Sequence, residues 1–250
     1  MNKRKLLPVA ALLAAALLLA VGVTTALLTD AESRNNIITI GQVKLSLDEG
    51  GFDPEEKHLP DPGSRVTKAP KLSNEGNRDA FVFLQLSMPK AEVTLLWEES
   101  DDTHRKGTPR ADKSLQELFR CLADNASATS AVTGSDAVDG DITYHVGSDS
   151  AEGWLFLKSD LTGEAADVYV FGYNRKLAPT EVTRTLFDEV QLKSFIDGEA
   201  TGTFAIDVVG WAIQADNLKP EETVDWTKTW LNAEELTGIF RIVETRLAAG

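Results

Sequence analysis

One alternating segment near the middle of the chain constrains the fold most strongly. Five apolar residues share one face of the extended segment 79–88: Ala80, Val82, Leu84, Leu86 and Met88. Phe81 and Phe83 lie on the other face before that face turns polar. A strand that is apolar on both faces needs a layer of structure on each side. We therefore expect a central strand of a layered β protein, ending at Pro89.

Shorter alternating segments predict further strands around this one. In chain order they are 36–47, 65–72, 93–97, 141–146, 153–158, 167–173, 190–195 and 203–214. In the first, the alternation changes phase across Gly41 and Gln42, which predicts a bulge or bend between two strand segments. Pro70 limits the second to a sheet edge. Strands without regular intervening helices favour a mainly β fold, a β-sandwich or jelly roll with helical insertions.

Two segments have the periodicity of a helix. In 114–124, Leu115, Leu118, Phe119 and Leu122 recur at helical spacing, which predicts a short helix inside a charged and variable insertion, 98–151.

The second helical segment lies at the C-terminus. Asn232 and Glu235 form a plausible capping pair ahead of an apolar face. That face consists of Leu236, Ile239, Phe240, Val243 and Leu247. We expect a C-terminal helical extension, 219–250, whose helix packs on the sandwich.

The N-terminus has the pattern of a secretory signal peptide. Three basic residues at 3–5 precede an almost wholly apolar run, 6–23, and small residues end at Ala26. We expect cleavage between Ala26 and Leu27, so that 1–26 is the leader and 27–218 the β domain. The alternative is an uncleaved membrane anchor, since eighteen apolar residues just span a bilayer.

Charge and cysteine content narrow the function classes. The chain has 25 Lys and Arg against 39 Asp and Glu, and after removal of the leader the net charge is −17. Such a surface repels phosphate backbones, so we expect no nucleic-acid partner. Cys121 is the single cysteine, which excludes an intramolecular disulfide and predicts a small buried apolar side chain.

No catalytic motif is visible. The three histidines are far apart in sequence: His58, His104 and His145. There is no HExxH, nucleophile elbow or phosphate-binding loop. A loop carrying Asp136, Asp139 and Asp141 would suit calcium weakly, but its spacing is not that of an EF-hand. The residues themselves therefore predict no catalytic or metal site and favour a structural or binding role.

Four segments resemble the TasA/camelysin family, whose leaders are cleaved by a SipW-type signal peptidase. They are ALLTDAESRNNIITIGQVKLSL after the leader, PGSRVTKAPKLSNEGNRDAFVFLQL, VYVFGYNRKLAPTEVTRTLFDEV and FAIDVVGWAIQAD. The resemblance reaches to about Asp216 and leaves out 98–151 and the residues after Leu218. Leu28 replaces the family's usual aromatic residue, and Thr180 replaces a usual glycine in a turn.

The resemblance implies a jelly-roll-like antiparallel β-sandwich, secretion to the cell surface or extracellular matrix, and a subunit of biofilm matrix fibres. In those fibres the mature N-terminal strand of one subunit completes the sheet of a copy or paralogue. The strand-donation residues here would be Ile37, Ile38, Ile40, Val43, Leu45 and Leu47. In the isolated monomer we expect the strand to pack in its own sheet. Alternatives are a camelysin-like surface metallo-endopeptidase and a surface adhesin or minor fibre-anchoring subunit.

Overall fold

Thirteen strands and a C-terminal helix are formed by the residues described in the computed structural model. These residues are 37–40, 44–50, 63–123, 128–132, 141–196, 199–200, 204–218 and 228–248. The predicted leader, its cleavage point after Ala26 and the acidic residues Asp136 and Asp139 lie outside them. All described residues belong to one unit, 35–250, and the predicted mainly β class is confirmed.

The elements have the following bounds. The strands are β1 Ile37–Ile40, β2 Leu45–Asp48, β3 Arg65–Thr67, β4 Lys71–Asn74, β5 Ala80–Val93, β6 Ser114–Glu117, β7 Phe119–Leu122, β8 Ala128–Val132, β9 Ile142–His145, β10 Trp154–Asp160, β11 Ala166–Tyr173, β12 Glu189–Leu192 and β13 Asp207–Gln214. A short 3₁₀ turn, Ala215–Asn217, follows β13, and the helix α1 is Ala233–Ala248.

The strands form two main sheets and a small ribbon. The six-stranded sheet has the order β1-β13-β5-β11-β10, with β6 also paired to β5, and the five-stranded sheet has the order β3-β12-β7-β9-β8. β2 and β4 form the ribbon. Most neighbours are antiparallel, but β1 is parallel to β13 and β7 is parallel to β9. The main core, which takes side chains from both sheets and the ribbon, lies between them.

β5 is the central strand that the alternation predicts. Its first face is fully buried in the main core, and Phe81 and Phe83 on the other face pack against α1. The predicted end at Pro89 is wrong, because the strand continues to Val93. A proline is tolerated there because it lies where one neighbour of β5 replaces another: pairing with β13 ends at Ser87, and pairing with β6 begins at Lys90.

The helix predicted for 114–124 is also wrong: this segment forms β6 and β7. β6 pairs with the end of β5, while β7 lies between β12 and β9. Phe119 and Cys121 point into the core from β7, and Leu118 is buried where the two strands meet. The apolar residues therefore serve two short strands, and pairing with distant strands overrides the local helical spacing.

Two other strand predictions are refined. The segment 36–47 forms β1 and β2, which belong to different sheets, and Gly41 and Gln42, where a bulge or bend is predicted, lie outside the described residues. The segment 65–72 also divides, at Pro70, into β3 at the edge of the five-stranded sheet and the start of β4 in the ribbon.

The capping pair ahead of α1 is confirmed. The Glu235 N–H donates to Asn232 Oδ1 and the Asn232 N–H donates to Glu235 Oε2, both at 2.9 Å. This reciprocal pair satisfies two backbone donors that a helix start leaves open. The buried face of α1 then covers the second side of the six-stranded sheet, as predicted. The Leu247 side chain lies outside the described residues.

Candidate assembly interface

Five of the six predicted strand-donation residues fall on two described strands, β1 and β2. Ile37, Ile38 and Ile40 lie on β1, at the edge of the six-stranded sheet. β1 pairs in parallel with β13, with Ile37 opposite Gly210 and Ile40 opposite Ile213. Parallel pairing is slightly less stable per residue than antiparallel pairing. β1 is therefore a four-residue strand with one neighbour in the sheet.

β2, by contrast, is bound by its side chains. Leu45 and Leu47 are 5% and 4% exposed and belong to the main core, together with Leu72 of β4. A Cβ placed on Gly210 would lie 2.6 Å from Leu72 Cδ2 and 3.3 Å from Leu45 Cδ2. The glycine thus allows the ribbon to pack directly on β13, beside the position that β1 occupies.

Hydrogen bonds fix both ends of β2 to the following chain. The Glu75 N–H donates to the Lys44 carbonyl at 2.7 Å, and the Ala69 N–H donates to the Glu49 carbonyl at 3.1 Å. The Glu49 carboxylate also pairs with the buried Lys68 ammonium, with 2.5 Å between Nζ and Oε1. Val43, between the two strands, lies outside the described residues. The predicted interface therefore divides between β1, whose backbone pairs with β13, and β2, which is fixed by buried side chains and by hydrogen bonds at both ends.

The strand that pairs with β1 was not predicted from the sequence. It is β13, whose backbone pairs with β5 on one side and with β1 on the other. On the face toward α1, Trp211 stacks on Phe240, with ring centroids 5.2 Å apart. The one available signal was Gly210, a glycine inside an otherwise apolar strand, which indicates close approach of another segment.

The described histidines have structural partners. His145 is buried, and its Nε2 lies 2.8 Å from Asp188 Oδ2, whose other oxygen accepts from the Thr185 hydroxyl. His104 is part of a surface loop, stacks on Trp97 at 3.8 Å and bonds to Asp101. Backbone and side-chain donors from Thr103 and His104 hold the pKa of Asp101 well below its usual range. His58 lies outside the described residues.

The acids and the thiol are likewise used within the fold. Asp141, from the proposed calcium loop, lies 2.7 Å from Lys193 Nζ and 3.6 Å from Arg120 Nε. Within the described part of the chain, no group of three or more His, Cys, Asp or Glu side chains is arranged to hold a metal ion. Cys121 is buried, as predicted, and burial raises the pKa of its thiol far above the usual range.

Comparison with known proteins gives no match among family models, curated proteins or solved structures. In the described ranges, no helix has both the length and the apolar character needed to cross a membrane. The function must therefore be argued from the residues and the geometry.

Proposed function

We propose that this chain is a secreted structural subunit of an extracellular matrix fibre, assembled by donation of its N-terminal strand. The observation that supports the proposal best is the attachment of β1. It is an edge strand whose four residues pair in parallel with β13, which is its one strand neighbour in the part of the chain that the structure describes. The resemblance to the TasA/camelysin family supplies the expected export route, a SipW-type signal peptidase, and the expected partners, copies of the chain or paralogous subunits.

If β1 left its own sheet, the side of β13 that it covers would be open to another strand. Without β1, the backbone N–H and C=O groups on that side of β13 would be unpaired, and such an edge is a template for another strand. The acceptor would keep its shape, because the ribbon packs on Gly210 and α1 packs against Trp211. The strand of a second subunit could then form the same pairs that β1 forms within its own chain.

The extent of the donated segment follows from the packing. Withdrawing β2 would expose Leu45 and Leu47, at about 1.5–3 kcal/mol for each fully buried leucine, and break its pairing with β4. The backbone pairs that β1 makes with β13 can be formed again with the β13 of a second subunit. We therefore assign the donated segment to the chain up to Ile40 and keep β2 in its own subunit.

A reversible lock tests the proposal. Thr39 and Ala212 are opposite each other in the β1–β13 register, and neighbouring strands lie about 4.8 Å apart, within the Cα separation that a disulfide spans. Thr39→Cys and Ala212→Cys are introduced into residues 27–250, with Cys121→Ala to remove the native thiol. Oxidised as a monomer, this variant should form no fibres by negative-stain microscopy, and reduction should restore them.

A matched lock provides the control. Ser46→Cys with Ser73→Cys joins opposite residues of β2 and β4 and should leave fibre formation unchanged, since β2 is not exchanged. Oxidation of the first variant after assembly should give a ladder of covalent oligomers on a non-reducing gel. Fibres from the monomer locked through 39 and 212, or protein that stays monomeric at high concentration over a range of pH, would refute strand donation.

A further inference from the structure

A cluster of buried and half-buried ionisable side chains lies between the two main sheets, outside the proposed interface. We call it the buried charge cluster, and its members are Lys90, Glu98, Glu117, Arg120, Asp141, Asp167, Tyr169 and Lys193. They come from both sheets: β5, β6 and β11 of the six-stranded sheet, β7 of the five-stranded sheet, and the segments next to β5, β9 and β12. The cluster therefore connects the two layers through polar contacts at a border of the apolar core.

All but one of its acids have a cationic partner. Lys90 Nζ lies 2.9 Å from Asp167 Oδ1, and both side chains are almost fully buried. Asp141 is paired with Lys193 at 2.7 Å. Arg120 Nη1 lies 2.5 Å from Glu98 Oε2, and the same side chain approaches Asp141. Three cations thus balance three carboxylates without any contribution from Glu117.

Glu117 is the remaining acid, and it has a neutral partner instead. The residue is 5% exposed, and its Oε1 accepts a 2.6 Å hydrogen bond from the buried Tyr169 hydroxyl. Its Oε2 is buried without a hydrogen-bond partner. Among the described residues, no lysine or arginine nitrogen lies within 4 Å of its carboxylate. A buried carboxylate without a cation is costly when ionised and much less costly when protonated.

The groups facing Glu117 from each packed element explain the direction of its titration. They are Lys90 from β5, Tyr169 and Asp167 from β11, Cys121 from β7, Asp141 before β9 and Lys193 after β12. Burial raises the pKa of Glu117 to about 7, with smaller upward contributions from Asp141 and Asp167. The Tyr169 hydrogen bond and the charge of Lys193 act in the opposite direction.

Glu117 also lies where the chain crosses from one main sheet to the other. It is the last residue of β6 and lies opposite Lys90 in the pairing with β5. The next residue, Leu118, donates its N–H to the Pro89 carbonyl at 3.1 Å and accepts at its carbonyl from the Lys193 N–H at 2.9 Å. The chain therefore passes from one sheet to the other immediately after Glu117, where Leu118 bonds to both layers.

We propose that Glu117 is a proton-operated latch. When it takes up a proton on acidification, local opening of the chain between β6 and β7 becomes less favourable, and when it loses the proton towards neutral pH, this opening becomes more favourable. In the closed fold the protonated form is favoured, whereas an opened, hydrated β6 returns the carboxyl to its ordinary titration near pH 4.5. Opening therefore becomes easier as pH rises from about 4.5 to 7, by at most about tenfold per pH unit, and changes no further above that.

Hydrogen–deuterium exchange of the full-length chain tests the latch. Peptides covering 114–118 are followed from pH 5 to 8, with the intrinsic pH dependence of amide exchange removed and a β13 peptide as reference. In the wild type, protection should fall by up to about 100-fold from pH 5 to 7 and then level off. Glu117→Gln keeps the shape and the acceptor for Tyr169 but cannot ionise, so its corrected protection should be independent of pH.

A second measurement keeps the proposal falsifiable if Glu117→Gln does not fold. The side-chain carboxyl carbon of Glu117 is titrated by NMR in the wild type, and a midpoint well above the ordinary value near 4.5 is expected. A midpoint at or below the ordinary value, a flat wild-type exchange profile, or an unchanged pH dependence in Glu117→Gln would each overturn the latch.

Discussion

Asn174 provides the sharpest test of how the loop between β9 and β10 is held in place. It is fully buried, and its side chain makes three hydrogen bonds with backbone groups of the loop between β9 and β10. Oδ1 accepts from the Gly153 N–H at 3.0 Å, and Nδ2 donates to the carbonyls of Ser148 and Ala151 at 3.0 and 2.9 Å. Asn174→Ala leaves these groups without that partner. The Gly153 N–H is buried, and leaving it without a partner costs about 1–3 kcal/mol. Ser148 and Ala151 are exposed residues, so water can replace part of what their carbonyls lose, and because the three groups share one loop the costs do not add.

We expect a loss of about 2–3 kcal/mol in the free energy of unfolding, which lowers the Tm by about 4–12 °C in a domain of this size. Urea unfolding followed by tryptophan fluorescence measures it. Asn232→Ala is the matched control, because it removes an exposed asparagine that makes one side-chain cap and should cost about 1 kcal/mol. Equal losses in the two variants would show that the buried Asn174 contacts do not hold the loop, and would refute the reasoning.

Three further predictions rest on single side chains. Thr180 is exposed and has a φ of 70°, in the left-handed region. Thr180→Gly should relieve this backbone strain and, after the entropic cost of glycine, raise the free energy of unfolding by about 0.5–1 kcal/mol. A decrease in that free energy, measured by urea titration, would contradict this. Tyr169→Phe removes the hydrogen bond that lowers the pKa of Glu117. The titration midpoint of the Glu117 carboxyl, followed by NMR, should therefore move to higher pH. A shift to lower pH would contradict this role of Tyr169. The Cys121 thiol is fully buried and should react with an aromatic disulfide reagent at the rate of unfolding; fast reaction under native conditions would show that the core opens there.

Features fixed by local pattern could be predicted from the sequence. The two apolar faces of β5 follow from a period of two, and both faces are buried as expected. The cap and the packed face of α1 follow equally from local spacing, because Asn232 and Glu235 satisfy each other before any distant contact is made. Such features need no knowledge of which segments meet.

Features decided by distant pairing could not be predicted in the same way. Residues 114–122 contain apolar side chains at helical spacing, yet their strand partners lie in β5 and β12. The parallel partner of β1 is even more remote, since Ile37 meets Gly210. The sequence pattern predicted the residues of β1, but only the register of the strand pairing identified β13 as the strand next to it. The carboxyl of Glu117 was missed because an acid in a short amphipathic segment is normally solvated.

The short link between β1 and β2 sets the conditions under which strand donation could occur. Pairing of β1 within the chain and between chains makes the same backbone bonds, so the difference in free energy comes from proximity. A strand tethered by a few residues has an effective concentration in the millimolar range, and at micromolar protein the intramolecular pairing wins unless the intermolecular form gains further contacts. Those contacts must come from the chain before Ile37 or from surfaces between subunits. Fibre formation should therefore have a sharp threshold concentration, and shortening the chain from residue 27 towards 36 should raise that threshold while leaving the folded monomer intact.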